Sequence, residues 1–178
     1  MSPETSMIVR QAEAADAEAI ARIYNQGIED RVAAFETEPR TADQIASLLS
    51  ERADHYPTIV VEREREVVAW AGAGSYRSRP CYAGIAECSV YVERAARGSG
   101  AGSAVLVGLI AAYQERGFWK LVSRIFPENV ASRAMCRRAG FREVGVYKRH
   151  GQLDGDWRDC VIVERLLGRD AEGLETES

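Results

Sequence analysis

Three glycines alternate with small residues in the segment Arg97-Gly-Ser-Gly-Ala-Gly-Ser103. Strand-like residues end at Val92, and apolar residues spaced three and four apart begin after Gly102, so the glycines lie where a strand leads into a helix. Glycine lets a main chain approach a ligand closely, and the first amides of a helix attract anions. The segment is therefore predicted to bind a phosphate or pyrophosphate through its backbone.

Spacing separates this loop from two common phosphate-binding motifs. The P-loop needs Gly-Lys-Ser/Thr after its glycines, and the sequence has no such triplet here. The dinucleotide fingerprint needs a third Gly or Ala, but Ser103 or Val105 stands there, depending on the first glycine chosen. What remains is Arg-x-x-Gly-x-Gly, from Arg97 to Gly102. A tight turn without a ligand is the alternative, and its three glycines would cost roughly 0.5–1 kcal/mol each in entropy.

A carboxylate within a strand is the second chemical feature. The run 86–92 alternates, which puts Glu87, Ser89 and Tyr91 on one face. Carboxylates are uncommon inside strands, so Glu87 either faces water or is aimed at a substrate, where it could remove a proton from an amine. Arg77 and Arg79 precede it, either as solvated charges or as paired guanidinium groups that bind acidic groups of a substrate.

The hydrophobic pattern predicts the elements that must position these residues. The order is a strand at 8–11, helices after Asp16 and Thr41, strands at 58–62, 67–76 and 86–92, a helix from Gly102 to Gly117, a strand at 119–125, a helix from Pro127 to Gly140, and closing strands at 141–147 and 158–166. This order predicts a mixed sheet with helices on both faces, an α/β or α+β fold. Residues 7–167 are expected to form one domain, between an N-terminal extension at 1–6 and a flexible acidic tail at 168–178.

The Arg-x-x-Gly-x-Gly loop in mid-domain, Asn129 at the next helix start and Ala139-Gly140-Phe141 at its end together resemble the Gcn5-related N-acetyltransferases (GNAT). The resemblance covers most of residues 7–167. It implies a mixed sheet of about six to seven strands flanked by about four helices, with acetyl-CoA as cosubstrate and no metal. By motif match, the residues facing acetyl-CoA are Val90, Val92, Arg97, Gly98, Ser99, Gly100, Ala101, Gly102, Ser103 and Asn129.

A narrower resemblance, to the phosphinothricin and arsinothricin N-acetyltransferases, rests on segments outside the loop. These are 34–41, Tyr56-Pro57, Arg79 with Tyr82, 87–92 and Trp157-Arg-Asp159. The resemblance implies acetylation of the α-amino group of a glutamate-analogue antibiotic, which detoxifies it. It also implies that Glu87 is the general base, acting through water, and that N–H donors around Val90 stabilise the oxyanion. The implied substrate-binding residues are Phe35, Arg77, Arg79 and Tyr82.

Phe35 and Cys136, the second catalytic candidate beside Glu87, each have a structural alternative. For Phe35 the alternative is packing in a buried cluster. For Cys136 the family pattern itself differs: phosphinothricin acetyltransferases often have His where this chain has Cys in Met135-Cys-Arg-Arg-Ala-Gly140, and more distant relatives often have a Tyr acid there. A thiol of ordinary pKa could protonate the departing CoA thiolate, although a helical cysteine more often serves core packing.

Two other functions stay open. The acceptor could instead be methionine sulfone, methionine sulfoximine or another small amine, which a substrate screen would separate. Alternatively, the chain could be a non-catalytic CoA-binding module, which predicts CoA binding without thiol release. The intact Glu87 beside an arginine pair argues against the second alternative.

Composition narrows the partners. The chain has 178 residues, 46% hydrophobic, 28% charged, with a net charge of -4, which argues against general nucleic-acid binding. It has no run of 18 apolar residues and no signal-peptide pattern, so no membrane association and a cytoplasmic location are expected. The four cysteines form no C-x-x-C pair, and both histidines are isolated, which predicts free thiols and no metal. The family resemblance implies a homodimer.

Overall fold

The computed structural model of the chain describes residues 6–32 and 34–168. The strands are β1 (Met7–Gln11), β2 (Ile59–Arg63), β3 (Glu66–Ser75), β4 (Ile85–Val92), β5 (Lys120–Ile125), β6 (Arg142–Leu153) and β7 (Asp156–Leu166), and the helices are α1 (Ala17–Asp30), α2 (Ala42–Arg52), α3 (Ala101–Glu115) and α4 (Val130–Arg138). The predicted mixed α/β architecture is confirmed. Apart from Ser6 and Gly168, the predicted extension at 1–6 and tail at 168–178 lie outside the described residues.

The seven strands form one sheet in the order β1-β2-β3-β4-β5-β7-β6. Only the central pair, β4 and β5, runs parallel, and it is paired at three positions, from Ile85↔Lys120 to Glu87↔Val122. Beyond Glu87 these two strands separate, whereas β4 stays paired with β3 as far as Val92. A gap therefore opens in the middle of the sheet, just after Glu87.

Helices cover both faces of the sheet, as predicted. On one face, α3 buries Val105, Leu109 and Tyr113 completely against small residues of the central strands. On the other face, α1 and α2 bury residues such as Ile20 and Ile45 against β2, β3 and β4. Each face thus has its own apolar core, and β4 contributes to both.

The helix starts agree in part with their sequence signals. The Thr41 hydroxyl accepts a hydrogen bond from the Gln44 amide at 3.2 Å, and the Gln44 side chain accepts one from the Thr41 amide at 3.0 Å, so the predicted capping box is confirmed. Asp16 occupies the N-cap position of α1, but its carboxylate instead accepts hydrogen bonds from Arg10 at 2.7 and 2.8 Å and from the Glu13 amide at 2.8 Å. These hydrogen bonds hold the pKa of Asp16 below its usual range.

The closing hairpin is longer than the sequence pattern predicted. Strands β6 and β7 meet at a two-residue turn, Asp154-Gly155, with φ of 51° and 83°, which is the left-handed geometry that tight hairpin turns favour. Between Tyr147 and Gly151 the β6 register shifts, and Arg149 has a φ of 49°. Such an irregularity breaks the alternation of polar and apolar residues along β6. For that reason the sequence pattern predicted that the strand ends at Tyr147 rather than at Leu153.

None of the helices within the described part of the chain is long and apolar enough to cross a membrane.

Candidate active site

The glycine-rich loop enters α3 with a backbone that side chains disfavour. Gly98 has a φ of 78° and Gly100 a φ of 89°, both in the left-handed region. Gly100 is the N-cap of α3, and no side chain among the described residues caps that helix end. The Ser99 hydroxyl donates to the Ala96 carbonyl at 2.6 Å, which folds the loop back on the preceding turn. The first amides of α3 are therefore available to an anion.

A cleft of about 670 Å³ lies along this loop, between β4, α4 and the end of α1. Eight of the ten residues predicted to face acetyl-CoA line it: Val90, Val92, Arg97, Gly98, Gly100, Gly102, Ser103 and Asn129. The other two are placed differently, since Ala101 is buried and Ser99 bonds to the preceding turn. Gly102 forms part of the cleft wall, where a Cβ would lie 3.0 Å from the Met135 sulfur and 3.1 Å from Val92.

Polar side chains fix the rim of this cleft. Arg97 donates to Asp30 at 2.6 Å, and Arg94 donates to the other oxygen of Asp30 at 2.7 Å, so the pair ties the loop to the end of α1. These contacts lower the pKa of Asp30. Asn129 caps α4 by accepting from the Ser132 amide at 3.2 Å, and its side-chain amide donates to the Val32 carbonyl at 3.3 Å. The capping role of Asn129 and its place in the cleft therefore coexist.

The gap beside β4 exposes main-chain donors. The Ser123 hydroxyl donates to the Cys88 carbonyl at 2.8 Å, so Cys88 directs its backbone groups toward β5. Alternate residues of a strand face the same neighbour, and the Val90 N–H therefore points to the same side. The odd-numbered residues of this segment face the other neighbour, β3: the Glu93 amide donates to the Val68 carbonyl at 2.8 Å. Because β5 has already separated, the Val90 N–H faces the gap rather than a ladder partner.

The Glu87 side chain lies on the face of β4 that α1 and α2 cover. It forms an ion pair that the sequence did not indicate. Its carboxylate accepts a hydrogen bond from Arg124 Nε at 2.7 Å and a second from an Nη of the same guanidinium. Arg124 belongs to β5, two residues after the position paired with Glu87. The candidate base is thus held by a cation across the point where the strands diverge.

Glu87, Ser89 and Tyr91 line a second cavity of about 220 Å³ between the sheet and the helices α1 and α2. This agrees with the shared face predicted from the alternation. Trp70 stacks on Tyr91 with ring centroids 4.7 Å apart, and Tyr24 meets Tyr91 edge-on at 5.1 Å. Burial raises the pKa of Tyr91, so its hydroxyl is neutral at physiological pH. The walls of this cavity are therefore mainly apolar, with aliphatic residues of α1 and α2 beside three aromatic rings, and the charged residues Glu36, Arg52 and Glu87 also line it.

A third, smaller cavity of about 40 Å³ occupies the gap itself. Its lining includes Arg124, Cys136 and Tyr91, and Tyr91 also lines the two larger cavities. The large cleft along the glycine-rich loop and the Glu87 cavity thus share Tyr91 of β4 as a wall residue, and α1 borders both.

Cys136 is buried in α4 at this gap, and burial raises the pKa of its thiol to about 11. This differs from the ordinary pKa expected from the sequence. The cause is desolvation, which disfavours the thiolate. Cys136 is therefore protonated at neutral pH and is a weaker acid than an ordinary thiol.

The predicted substrate-binding residues lie elsewhere. Arg77 and Arg79 are exposed on the loop between β3 and β4, and the Arg77 guanidinium lies 5.1 Å from the Tyr76 ring centroid. Within the described part of the chain, neither arginine lines any of these three cavities. Phe35 packs edge-on against Phe126 at 5.0 Å, and Tyr82 belongs to the same apolar cluster. The structure thus brings Arg124, rather than the predicted arginine pair, to Glu87.

The large cleft fits a long anionic ligand with an apolar stem. Uncapped amides lie at one end, apolar residues such as Ile23 line its side, and the Val90 N–H faces the gap.

No group of three or more His, Cys, Asp or Glu side chains that could hold a metal ion occurs within residues 6–32 and 34–168.

Comparison with known proteins points to one family. A family model described as an acetyltransferase (GNAT) domain matches residues 6–142. The chain is 32% identical over 166 residues to the phosphinothricin N-acetyltransferase of Streptomyces viridochromogenes, with 93% of this chain and 91% of that protein covered. It is also 32% identical over 164 residues to the L-methionine sulfoximine/L-methionine sulfone acetyltransferase of Pseudomonas aeruginosa, with 91% of this chain and 95% of that protein covered.

A solved structure shares the architecture. The crystal structure of a GNAT superfamily phosphinothricin acetyltransferase from Sinorhizobium meliloti, in complex with acetyl-CoA, matches with a TM-score of 0.84 and 32% identity. The match covers 96% of this chain and 92% of that chain. The resemblance inferred from the glycine loop and the strand motifs is confirmed.

Proposed function

Because the chain belongs to the GNAT family of acetyltransferases, we propose that it moves the acetyl group of acetyl-CoA to the α-amino group of a small acidic amino acid of the phosphinothricin or arsinothricin type. One observation carries the proposal. The cavity lined by the carboxylate of Glu87 and the cleft lined by the glycine-rich loop share Tyr91 of β4 as a wall residue. Detoxification of a glutamate-analogue antibiotic is the corresponding role.

The cofactor side of the proposal rests on backbone groups. The amides at the start of α3, together with Ser103, would hold the pyrophosphate of acetyl-CoA. The Val90 N–H, which faces the gap, would donate to the thioester carbonyl oxygen and stabilise negative charge that develops there. Acetyl-CoA supplies the activated acetyl group.

On the acceptor side, Glu87 takes the proton. An ammonium has no lone pair, so it must lose a proton before its nitrogen can attack the thioester carbon. Glu87 accepts that proton, directly or through water, from an acceptor in the 220 Å³ cavity. As the new amide bond forms, the carbon–sulfur bond breaks and the nitrogen releases its second proton. Cys136 is the proposed donor of a proton to the departing thiolate, although its raised pKa makes it a weak one. The proton that the nitrogen releases restores the Cys136 thiol through water, so that the protons balance.

A second acceptor class has its own support. The relative from Pseudomonas aeruginosa is named for methionine sulfoximine and methionine sulfone, whose side chains carry no net charge. The aromatic walls formed by Tyr24, Trp70 and Tyr91 suit such a side chain as well. The two classes differ in whether the site attracts an anionic group.

The homodimer implied by the family resemblance also remains a proposal. Val144, Val146 and Tyr147 of β6 and Trp157 of β7 leave about half of their surface exposed. Apolar residues exposed on an edge hairpin commonly mark a protein–protein interface. Sedimentation of the full chain would test this, since a monomer at assay concentration contradicts it.

The proposed function is tested by free-CoA release with a panel of acceptors. The panel contains phosphinothricin, arsinothricin, methionine sulfone, methionine sulfoximine, glutamate and a simple amine without acidic groups. We expect the highest kcat/KM with the acidic antibiotics. Release with the simple amine alone, or with no amino acid at all, would overturn the proposal.

A further inference from the structure

The glycine-rich loop is tied to helix α1 through one carboxylate. Arg97 donates to Asp30 at 2.6 Å, and Arg94 donates to the other oxygen of the same side chain at 2.7 Å. Every other hydrogen bond that residues 97–100 make within the described chain joins residues at most four positions apart. The contact with Asp30 is therefore the hydrogen bond that holds this stretch of the loop against a distant element.

Packing does little to fix the shape of the loop. A Cβ added at Gly98 or at Gly100 would meet no atom of the described chain within 4 Å. Glycine has more backbone freedom than any other residue, and a loop that binds a ligand loses this freedom. A contact that orders the loop before the ligand arrives lowers the entropy cost of binding.

The acids that make this contact lie where a helix disfavours them. Glu29 and Asp30 end α1, and its last turn contains no basic residue. Carboxylates repel the negative end of the helix dipole, so the two acids destabilise α1 by themselves. Arg94 offsets this by contacting both, and the exposed fraction of the side chain is 22% for Asp30 against 69% for Glu29. One turn earlier, Gln26 accepts from the Arg94 amide at 2.8 Å. The end of α1 thus matches the approach to the loop, with Asp30 as the central acceptor.

We propose that Asp30 is a positioning residue for acetyl-CoA, which acts through Arg97 to hold the glycine-rich loop in the conformation that binds the phosphates. The inference rests on the proposed function, because it takes acetyl-CoA to lie in the cleft along the loop. Arg97 lines this cleft, whereas Asp30 does not line it in the described structure. Asp30 therefore acts on the backbone of the loop and not by contact with the ligand.

The test compares two acetyl donors with the same reacting end. Acetyl-CoA carries a pyrophosphate, and S-acetylpantetheine has the same thioester and arm without any phosphate. Asp30→Asn keeps the shape of the side chain but removes its charge and one acceptor oxygen. We expect kcat/KM for acetyl-CoA to fall about fivefold, as for the loss of a partly exposed ion pair. For S-acetylpantetheine kcat/KM should stay within about twofold, and Asp30→Glu, which keeps the charge, should recover part of the loss.

A double-mutant cycle tests whether the effect passes through Arg97. Calorimetry with acetyl-CoA gives Kd for wild type, Asp30→Asn, Arg97→Gln and the double variant. If Asp30 acts through Arg97, adding Asp30→Asn to Arg97→Gln should change Kd by less than about twofold.

The matched control is Glu143→Gln. Glu143 accepts from Arg133 at 2.8 and 3.0 Å, and in the described part of the chain neither residue lines the three cavities. This variant removes a comparable ion pair, so it should leave kcat/KM for both donors at the wild-type level. Thermal unfolding of each variant checks that the fold is intact.

Three results would overturn the assignment. The first is an equal fall in kcat/KM for both donors in Asp30→Asn, or no fall for acetyl-CoA. The second is a rise for acetyl-CoA, which would mean that the carboxylate competes with the phosphates for Arg97. The third is a full effect of Asp30→Asn in the Arg97→Gln background. A wild-type protein that binds no acetyl-CoA, or releases no CoA with any acceptor, would instead overturn the proposed function, and this inference with it.

Discussion

The two cavities that flank strand β4 are made of different groups. The cleft beside α3 offers an anion the backbone amides of one continuous segment, shaped by the left-handed conformations of Gly98 and Gly100. The cavity under α1 and α2 offers side chains from separate elements, with Glu87 from β4 and Arg52 from α2. Backbone amides are the same for every residue type, so they can hold a cosubstrate that all members of a family share. Different acceptors can be distinguished only by side chains, which differ from one family member to another.

The largest expected effect is the loss of kcat in Glu87→Gln, which tests whether deprotonation of the acceptor depends on this one side chain. Glu87→Gln keeps the shape of the residue and a hydrogen-bond acceptor for Arg124, but it removes the basic oxygen. General-base catalysis typically contributes 10²–10⁴-fold, so kcat should fall by about that factor. Free-CoA release under saturating acceptor gives kcat, and calorimetry should show unchanged acetyl-CoA affinity. A kcat within twofold of wild type would remove Glu87 as the base.

The glycine-rich loop tests the cofactor side, where acetyl-CoA affinity should depend on a backbone conformation rather than on a side chain that contacts the ligand. Gly100→Ala introduces a side chain at a φ of 89°, where it contacts nothing within 4 Å, so strain is the only expected cost. Alanine disfavours that conformation, so the free loop leaves it, and acetyl-CoA binding must restore it at a cost of about 1–2 kcal/mol, which predicts an acetyl-CoA Kd about tenfold higher.

Gly117→Ala is the matched control for that variant. Gly117 follows α3 at its other end, has a φ of 81°, and also has nothing within 4 Å of an added Cβ. Both variants should lower the melting temperature to a similar extent, but only Gly100→Ala should weaken acetyl-CoA binding. Equal Kd values for the two variants would contradict a backbone-built anion site.

The same contrast explains which parts of the site the sequence predicts. The glycine loop is local, so its spacing alone places eight of the ten predicted residues in one cleft. Glu87 is also predictable, because a carboxylate in an alternating strand is unusual. Its partner Arg124 is 37 positions away and reaches it only through the parallel register of β4 and β5. Such a contact has no local signal in a single sequence.

The fold follows the same division. Helix and strand positions depend on periodicity and caps, and most agree with the prediction to within a few residues, as the Thr41 capping box illustrates; the exception is β6, which runs to Leu153. The divergence of β4 and β5, which opens the gap, depends on tertiary packing around both strands. The role of Arg77 and Arg79 stays a prediction: the structure places both on the exposed loop between β3 and β4, and it brings Arg124 to Glu87.

A smaller effect is expected from Arg124, a positioning residue that acts through Glu87. Arg124→Gln removes an ion pair that is partly exposed to solvent, and such pairs are worth up to about 1 kcal/mol, or roughly fivefold in kcat. Arg124→Lys should restore part of the rate, and KM for acetyl-CoA should stay at the wild-type level in Arg124→Gln, because Arg124 contacts Glu87 and not the glycine-rich loop. A loss of kcat as large as that of Glu87→Gln, with no recovery in Arg124→Lys, would contradict a positioning role.

The smallest effect on kcat is expected at Cys136, which lines the small cavity in the gap between β4 and β5. Burial raises its pKa to about 11, and such a weak acid should contribute no more than about threefold to kcat. Because the thiol stays protonated well above neutral pH, the ratio of wild-type kcat to that of Cys136→Ala should be constant from pH 7 to about 10. A thiol of ordinary pKa would instead lose its role as a donor as the pH passes about 8.5, and the ratio would then fall toward one. Cys81→Ala, at the exposed cysteine, is the control, and kcat measured at several pH values decides between the two behaviours.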